Sequence, residues 1–447
     1  MSKDVARWLK LTSGAFAFLS IVVVSATAAA AASAPGRITI PATAQLAVEV
    51  SATPPQRQVL WGNVAHYTWV VRLGPGEHDV IRLHRVVQEV GPNEPAKLAQ
   101  AVMFFPGLPT YFTGLYLPPL ISDVPERDRA IAIYLAKNGV DVWGMDYRWA
   151  MAPEDTTDFG FMRKWGVQRD VEDAQIALTL ARWIRGEWSR LESPLFLTGL
   201  SYGALMSYAV AANDTQRPVK FRNVKGIIPV DYGIKFDSPG YQAGQCAYLD
   251  GVRAMMKSGA YSWDNRFMWA IGQLAIDDPT GDSPFVPGMD NYHFALGVGG
   301  WPQNASIPWH FAGSYLDENG NPTALRFTED RLFFDLLMKN EPPYGSVQVD
   351  VEIATVDCDV PNAGPTYADH IGEVTVPLFY VGAAGGVGRF GEYATTLVAS
   401  HDVTILVVQQ LGDDDRAEDY GHSDLMTGFD AESLVWRPIL EWIRAHP

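Results

Sequence analysis

The chain has 447 residues, 47% of them hydrophobic, and a formal net charge of -17 at pH 7. That length and apolar content allow a large buried core, either as one large domain with an insertion or as two unequal domains. The acidity argues against nucleic acid or anionic membrane as the main partner, because both would repel the chain. The histidines and the two cysteines show no metal-ligand spacing such as C-x-x-C or H-E-x-x-H, so no metal and no cofactor are expected.

Lys3, Arg7 and Lys10 form a positive end, residues 11–24 are mainly apolar, and residues 26–34 are a small-residue tract with several A-x-A sites. This predicts a signal peptide over residues 1–34 and a secreted or periplasmic protein without a stable membrane anchor after its removal. The competing reading is an uncleaved anchor, since the alanines extend the apolar run towards the ~20 residues that span a bilayer. Residues 35–58, rich in Ala, Pro and Thr, read as an extended lead-in.

Residues 67–73 and 80–90 alternate apolar and polar side chains across Gly74-Pro75-Gly76, which is a hairpin signal. His84, in the second strand, is read as a packed or surface residue without a role. Residues 101–105 read as a buried strand running into Pro106-Gly107-Leu108-Pro109, residues 127–137 as a helix, and residues 140–143 as a strand. Asp146 and Arg148, just beyond, read as structural polar residues. Over residues 167–188, Val171, Ala174, Leu178, Ala181 and Ile184 fall at helical spacing, so one face can pack on a sheet.

The apolar run 194–200 then meets Gly199-Leu200-Ser201-Tyr202-Gly203 and an Ala-rich helical stretch. Further apolar strands are read at 226–231, 376–382 and 403–408, and an amphipathic helix at 432–445. Residues 235–372 are rich in aromatics, among them Tyr261, Trp269, Phe294, Trp301, Trp309 and Phe311. Most of these are expected to form that segment's own core, and a minority to line an apolar pocket. Alternating strand and helix predicts an α/β protein with a mainly parallel, doubly wound sheet.

G-x-S-x-G between a strand and a helix has a chemical logic. A serine at the tip of so sharp a turn sits in strained backbone, and side chains two positions either side would collide with strand and helix, hence Gly199 and Gly203. Its hydroxyl then faces a helix N-terminus, where free N–H groups favour developing negative charge. With its flanks, this segment resembles the nucleophile elbow of the α/β-hydrolase family, in particular its secreted lipases and esterases. The likeness covers about residues 60–447, but its specific motifs are the elbow and Gly421-His422-Ser423-Asp424.

The resemblance implies an α/β-hydrolase fold with a cap inserted between strands six and seven: core over residues 59–234 and 373–447, cap over residues 235–372. It implies Ser201 as nucleophile and His422 as general base. It also implies an oxyanion hole from the Leu108 and Tyr202 backbone N–H groups, although many members carry His-Gly where this chain has Pro106-Gly107. In many members the triad acid follows strand seven, and here that stretch, Gly382-Ala383-Ala384-Gly385-Gly386-Val387-Gly388, holds no carboxylate. In some members the acid follows strand six, where Asp231 stands and keeps the order Ser, acid, His. Glu392 and the group Asp413, Asp414, Asp415 and Asp419 are the rivals, while Asp424 is read as capping or bracing its loop.

Cys246 and Cys358 both fall in the cap; they either pair and close that insertion on itself or stand as two free buried thiols. The expected activity is hydrolysis of carboxylic esters, with a small-molecule ester, apolar or aromatic, as partner. Two alternatives stand: a serine peptidase for short peptides, with Asp250, Asp264, Asp277 or Asp278 to hold a peptide amine, and a non-catalytic secreted binding protein on the same scaffold. Oligomeric state is not readable.

Overall fold

The computed structural model describes residues 38–40, 50–189, 193–360 and 366–447; the expected signal peptide lies outside the described residues. Strands β1 (Ile38–Ile40), β2 (Val50–Ala52), β3 (Gln56–Trp61), β4 (Val64–Arg72), β5 (Val80–Gly91) and β6 (Glu94–Pro95) come first. They are followed by β7 (Ala101–Phe104), β8 (Asp141–Asp146), β9 (Leu195–Leu200) and β10 (Val224–Val230). The two small pairs β11 (Ser262–Asp264) with β14 (Tyr344–Ser346) and β12 (Ser314–Leu316) with β13 (Pro322–Leu325) precede β15 (Leu378–Ala383) and β16 (Val403–Val408).

The main sheet has 12 strands in the order β1-β2-β4-β5-β8-β7-β9-β10-β15-β16, with β3 on β4 and β6 on β5. From β1 to the β5/β8 pair the ladder is antiparallel; from β8 to β16 it is parallel. The parallel strands β7, β8, β9 and β15 are buried along their whole length, which is why they read as continuous apolar runs rather than alternating ones. The helices Val167–Ser189 and Tyr202–Thr215 cover one face, through Ala174, Leu178, Ala181, Leu205 and Ala209. The helices Ile131–Lys137 and Arg437–Ala445 cover the other, through Ile131, Leu135, Ile439 and Ile443. Helices on both faces of a largely parallel sheet make the doubly wound arrangement.

β10 and β15 are neighbours in register, Ile227 opposite Leu378 and Val230 opposite Val381, yet residues 231–377 separate them in sequence. That segment carries the helices Pro239–Lys257, Arg266–Asp277, Asn291–Gly300, Asp330–Lys339 and Val347–Asp357. It has apolar clusters of its own, one around Ile271, Leu296, Phe333 and Leu337 and another around Leu249, Val252, Val347 and Ala354. Cys246 and Cys358 form a disulfide with a Cα–Cα distance of 4.8 Å, tying the Pro239–Lys257 helix to the end of the Val347–Asp357 helix.

Three local readings differ from the sequence expectation. The lead-in stretch contains β1, β2 and the start of β3, which extend the antiparallel edge of the sheet. The helix expected from residue 127 begins at Ile131 after an extended Ala130, because the apolar side chains that pack on the sheet start there. The C-terminal helix opens with a π turn over Glu432–Trp436 before Arg437–Ala445; Pro438 has no N–H to continue a regular ladder. Among the described residues, no helix is long and apolar enough to cross a membrane.

Candidate active site

Ser201 stands between β9 and the Tyr202–Thr215 helix with φ 61° and ψ -121°, in the left-handed region that β-carbon-bearing residues rarely adopt. Its own N–H donates to Val230 O at 3.0 Å, so the turn leaves the sheet only after the last β9–β10 pairing. A Cβ on Gly199 would come within 2.3 Å of Phe105 O and one on Gly203 within 2.0 Å of the same oxygen. Only glycine at both positions lets β9, the helix and the end of β7 approach so closely. Gly107, after β7, lies against the same turn: a Cβ there would be 3.5 Å from the Ser201 Cβ.

The buried hydroxyl of Tyr116 joins these two backbones. It accepts from Leu200 N–H at 2.9 Å and donates to Phe105 O at 2.7 Å. Tyr147 Oη donates to Pro106 O at 3.2 Å. Tyr202 is the first residue of its helix, where an N–H has no intrahelical acceptor. Its phenol turns inward and donates to Asp170 Oδ2 at 2.7 Å. Asp170 is fully buried, and this desolvation pushes its carboxyl up to about 8.

Asp231 follows β10, is completely buried, and has φ 51°. Its carboxylate accepts four hydrogen bonds: Oδ1 from Ala383 N–H at 2.8 Å and Gly388 N–H at 2.7 Å, and Oδ2 from Val387 N–H at 3.0 Å and from His422 Nδ1 at 2.7 Å. The end of β15 and the glycine-rich stretch after it, which has no acid of its own, thus supply the amides that hold Asp231. Because a carboxylate only accepts, neutral His422 carries its proton on Nδ1 and leaves Nε2 with a lone pair.

His422 is held from the inserted segment. Its N–H donates to His310 O at 3.0 Å, and Ser423 donates through both N–H and Oγ to Phe311 O at 2.7 Å. Trp309 packs beside the imidazole with ring centroids 5.0 Å apart. Asp424 braces the loop, Oδ2 accepting from Gly313 and Gly421 N–H and Oδ1 from Thr328 Oγ1, and its burial pushes it up to about 6.

The rival acids lie elsewhere. Asp413, Asp414 and Asp415 are exposed. Asp419 is buried but accepts from Gln410 and Tyr420 N–H, and Glu392 is partly exposed on the short helix Gly388–Thr396.

Ser201, His422, Gly107 and Leu108 share the wall of one cavity of about 90 Å³. The rest of its lining is mainly apolar and comes largely from the inserted segment: Met268, Val298, Phe311, Phe333, Leu336 and Leu337. Of the aromatics singled out from the sequence, Phe311 reaches this lining, and Phe333 joins it. Tyr116, the His310–Phe311 support and Glu341, also in the lining, carry no motif; a helix end at Asn340 before Pro342-Pro343 is the only local sign near the last of them.

The sequence matches no family model and gives no significant match among curated proteins. Its structure resembles a candidate lipase from Sulfolobus solfataricus, with 20% identity, a TM-score of 0.58, and 88% of this chain and 99% of that one covered. A thermophilic esterase from Thermogutta terrifontis superposes at 13% identity and TM-score 0.41, covering 88% of this chain and 99% of that one. A proline iminopeptidase from Mycobacterium smegmatis does so at 11% and 0.38, covering 88% and 98%; superpositions this loose add nothing to the first. The sheet order, the strained Ser201 turn and the first of these likenesses agree on one architecture, and the chain has the α/β-hydrolase fold.

Proposed function

We propose that this protein is a serine hydrolase that cleaves carboxylic esters through an acyl-enzyme. The observation that carries the reading is the convergence on one apolar cavity of a serine in strained backbone and a histidine whose Nδ1 is engaged by a buried aspartate. Ser201 Oγ attacks the ester carbonyl while His422 Nε2 takes its proton, forming a tetrahedral oxyanion. The Leu108 and Tyr202 N–H groups hold that oxygen, each worth about 3 kcal/mol in the barrier. Collapse expels the alcohol, which leaves with the proton from His422; water then repeats the sequence on the acyl-enzyme and frees the acid and Ser201. Asp231 keeps His422 in the accepting tautomer and stabilises the imidazolium.

The inactive-scaffold alternative drew its support from the missing acid after strand seven, and a buried aspartate on His422 removes that support. The disulfide suits an oxidising compartment, in line with export through residues 1–34. The cavity, at about 90 Å³, is smaller than the ~150 Å³ that holds a benzene ring in an apolar core, so short acyl groups fit it best. The test is hydrolysis of p-nitrophenyl esters from acetate to palmitate beside Ser201→Ala. Turnover falling with acyl length and lost in Ser201→Ala supports the reading; equal rates in both proteins overturn it.

A further inference from the structure

The cavity beside Ser201 has few polar groups, and most are already satisfied. Thr110 Oγ1 donates to Gly107 O at 3.0 Å, Ser423 Oγ donates to Phe311 O at 2.7 Å, and Asn340 Oδ1 accepts from Tyr111 N–H at 3.3 Å. Glu341 is different. It lines the cavity, yet among the described residues nothing donates a hydrogen bond to its carboxyl and no Lys or Arg shares the lining. Burial among the apolar side chains pushes that carboxyl well above the usual carboxylate range.

Glu341 is only partly buried, so its carboxyl takes its hydrogen bonds from whatever occupies the cavity rather than from the protein. Nor is Glu341 free to swing away with its backbone. Trp269 Nε1 donates to Glu341 O at 3.0 Å, Asn265 Nδ2 to Pro342 O at 3.2 Å, and Tyr111 N–H to Asn340 O at 2.9 Å. The last of these fixes position 341 next to the Gly107–Thr110 turn that borders Ser201. The fold holds one acidic side chain, without a hydrogen-bond donor among the described residues, in the wall of the cavity that Ser201 and His422 also line.

We propose that Glu341 receives a protonated amino group on the acyl part of the substrate, so that the preferred substrates are esters of small amino acids. The inference rests on the ester-hydrolase reading above and sharpens it. An ammonium supplies the missing hydrogen-bond donors and, by its charge, holds the carboxyl in its ionised form, and the cavity of about 90 Å³ leaves room for a short side chain only. The acids considered from sequence for this task, Asp250, Asp264, Asp277 and Asp278, are absent from the lining.

The experiment measures kcat/KM for the methyl esters of 2-aminobutyrate and butyrate by proton release, in wild type, Glu341→Gln and Glu341→Leu. An ammonium activates its own ester, so the readout is how the amino-to-plain ratio changes on substitution. We expect the ratio to fall on the order of 100-fold in both variants; a ratio unchanged within a factor of about two overturns the proposal. Ligand-observed NMR with n-butylammonium, and n-butanol as the uncharged control, separates this from the hydrolase reading because it needs no turnover. Ammonium binding to wild type that is lost in Glu341→Gln supports the subsite even where neither ester is cleaved. Binding equal in both proteins, or absent from wild type, refutes it, whereas ester hydrolysis undiminished in Ser201→Ala sinks the hydrolase reading alone.

Discussion

Replacing Asp231 with asparagine keeps the shape of the site and inverts one polarity. The carboxylate accepts from Ala383 and Gly388 through Oδ1 and from Val387 and His422 through Oδ2. If the new amide nitrogen takes the Oδ1 place, it meets two backbone donors that cannot change role, leaving two buried N–H groups unpaired at about 1–3 kcal/mol each. The Oδ2 place is less costly: one backbone donor is lost, and His422 can adapt by moving its proton to Nε2 so that Nδ1 accepts. That tautomer carries its N–H at Nε2 and cannot take the Ser201 proton. Backbone strain does not confuse the result, since asparagine tolerates the φ of 51° as well as aspartate does.

The expected loss in kcat on p-nitrophenyl butyrate is ~10⁴-fold, or about 5.5 kcal/mol in the barrier. It should come with a small change in KM and a protein that still unfolds cooperatively. A variant retaining more than about a tenth of wild-type kcat would refute the assignment of Asp231 and the tautomer argument with it.

Tyr116→Phe removes the hydroxyl that bridges Leu200 N–H and Phe105 O. Two buried backbone groups lose their partner, and urea unfolding should show a loss of about 3 kcal/mol; a change under about 0.5 kcal/mol contradicts the bridge. Asp170 keeps its proton in the fold up to about pH 8, whereas its ordinary value is 3.8. The folded state therefore binds more protons than the unfolded chain across that window, and stability falls as pH rises through it, by up to ~1.4 kcal/mol per pH unit. The stability of Asp170→Asn relative to wild type should accordingly grow from pH 5 to pH 8, and a difference independent of pH refutes the burial argument. Reducing Cys246–Cys358 opens a link across 112 residues. Urea unfolding of the inserted segment with and without reductant should differ by about 4 kcal/mol, and superimposable curves would show that the link adds nothing.

The position of Ser201 at a strand-to-helix turn was legible because everything that makes it is local: an apolar run, glycines at two fixed offsets and an Ala-rich stretch after them. The parallel strands were legible for a similar reason, since burial on both faces leaves uninterrupted apolar runs. Asp231 was harder. Its place after an apolar strand could be read, but its contact with His422 depends on amides from Ala383, Val387 and Gly388, more than 150 residues away. The strands within residues 35–58 escaped because they are three residues long or irregularly patterned, and pairing, β1 with β2 and both β2 and β3 with β4, rather than their own periodicity holds them. Tyr116 and Glu341 lie beyond any local reading. One is an ordinary aromatic on a short helix, the other one acid among many in an acidic chain, and only the tertiary fold sets them against the Ser201 turn and the cavity.

Activation of the Ser201 hydroxyl by His422 underlies every step of the proposed reaction. Its most direct test is labelling of the purified protein with a fluorophosphonate, followed by peptide mass spectrometry to locate the adduct. One adduct is expected, on Ser201, absent from Ser201→Ala and formed at least ~100-fold more slowly in His422→Ala. No adduct on wild-type protein, or an adduct on another residue that persists in Ser201→Ala, would contradict it.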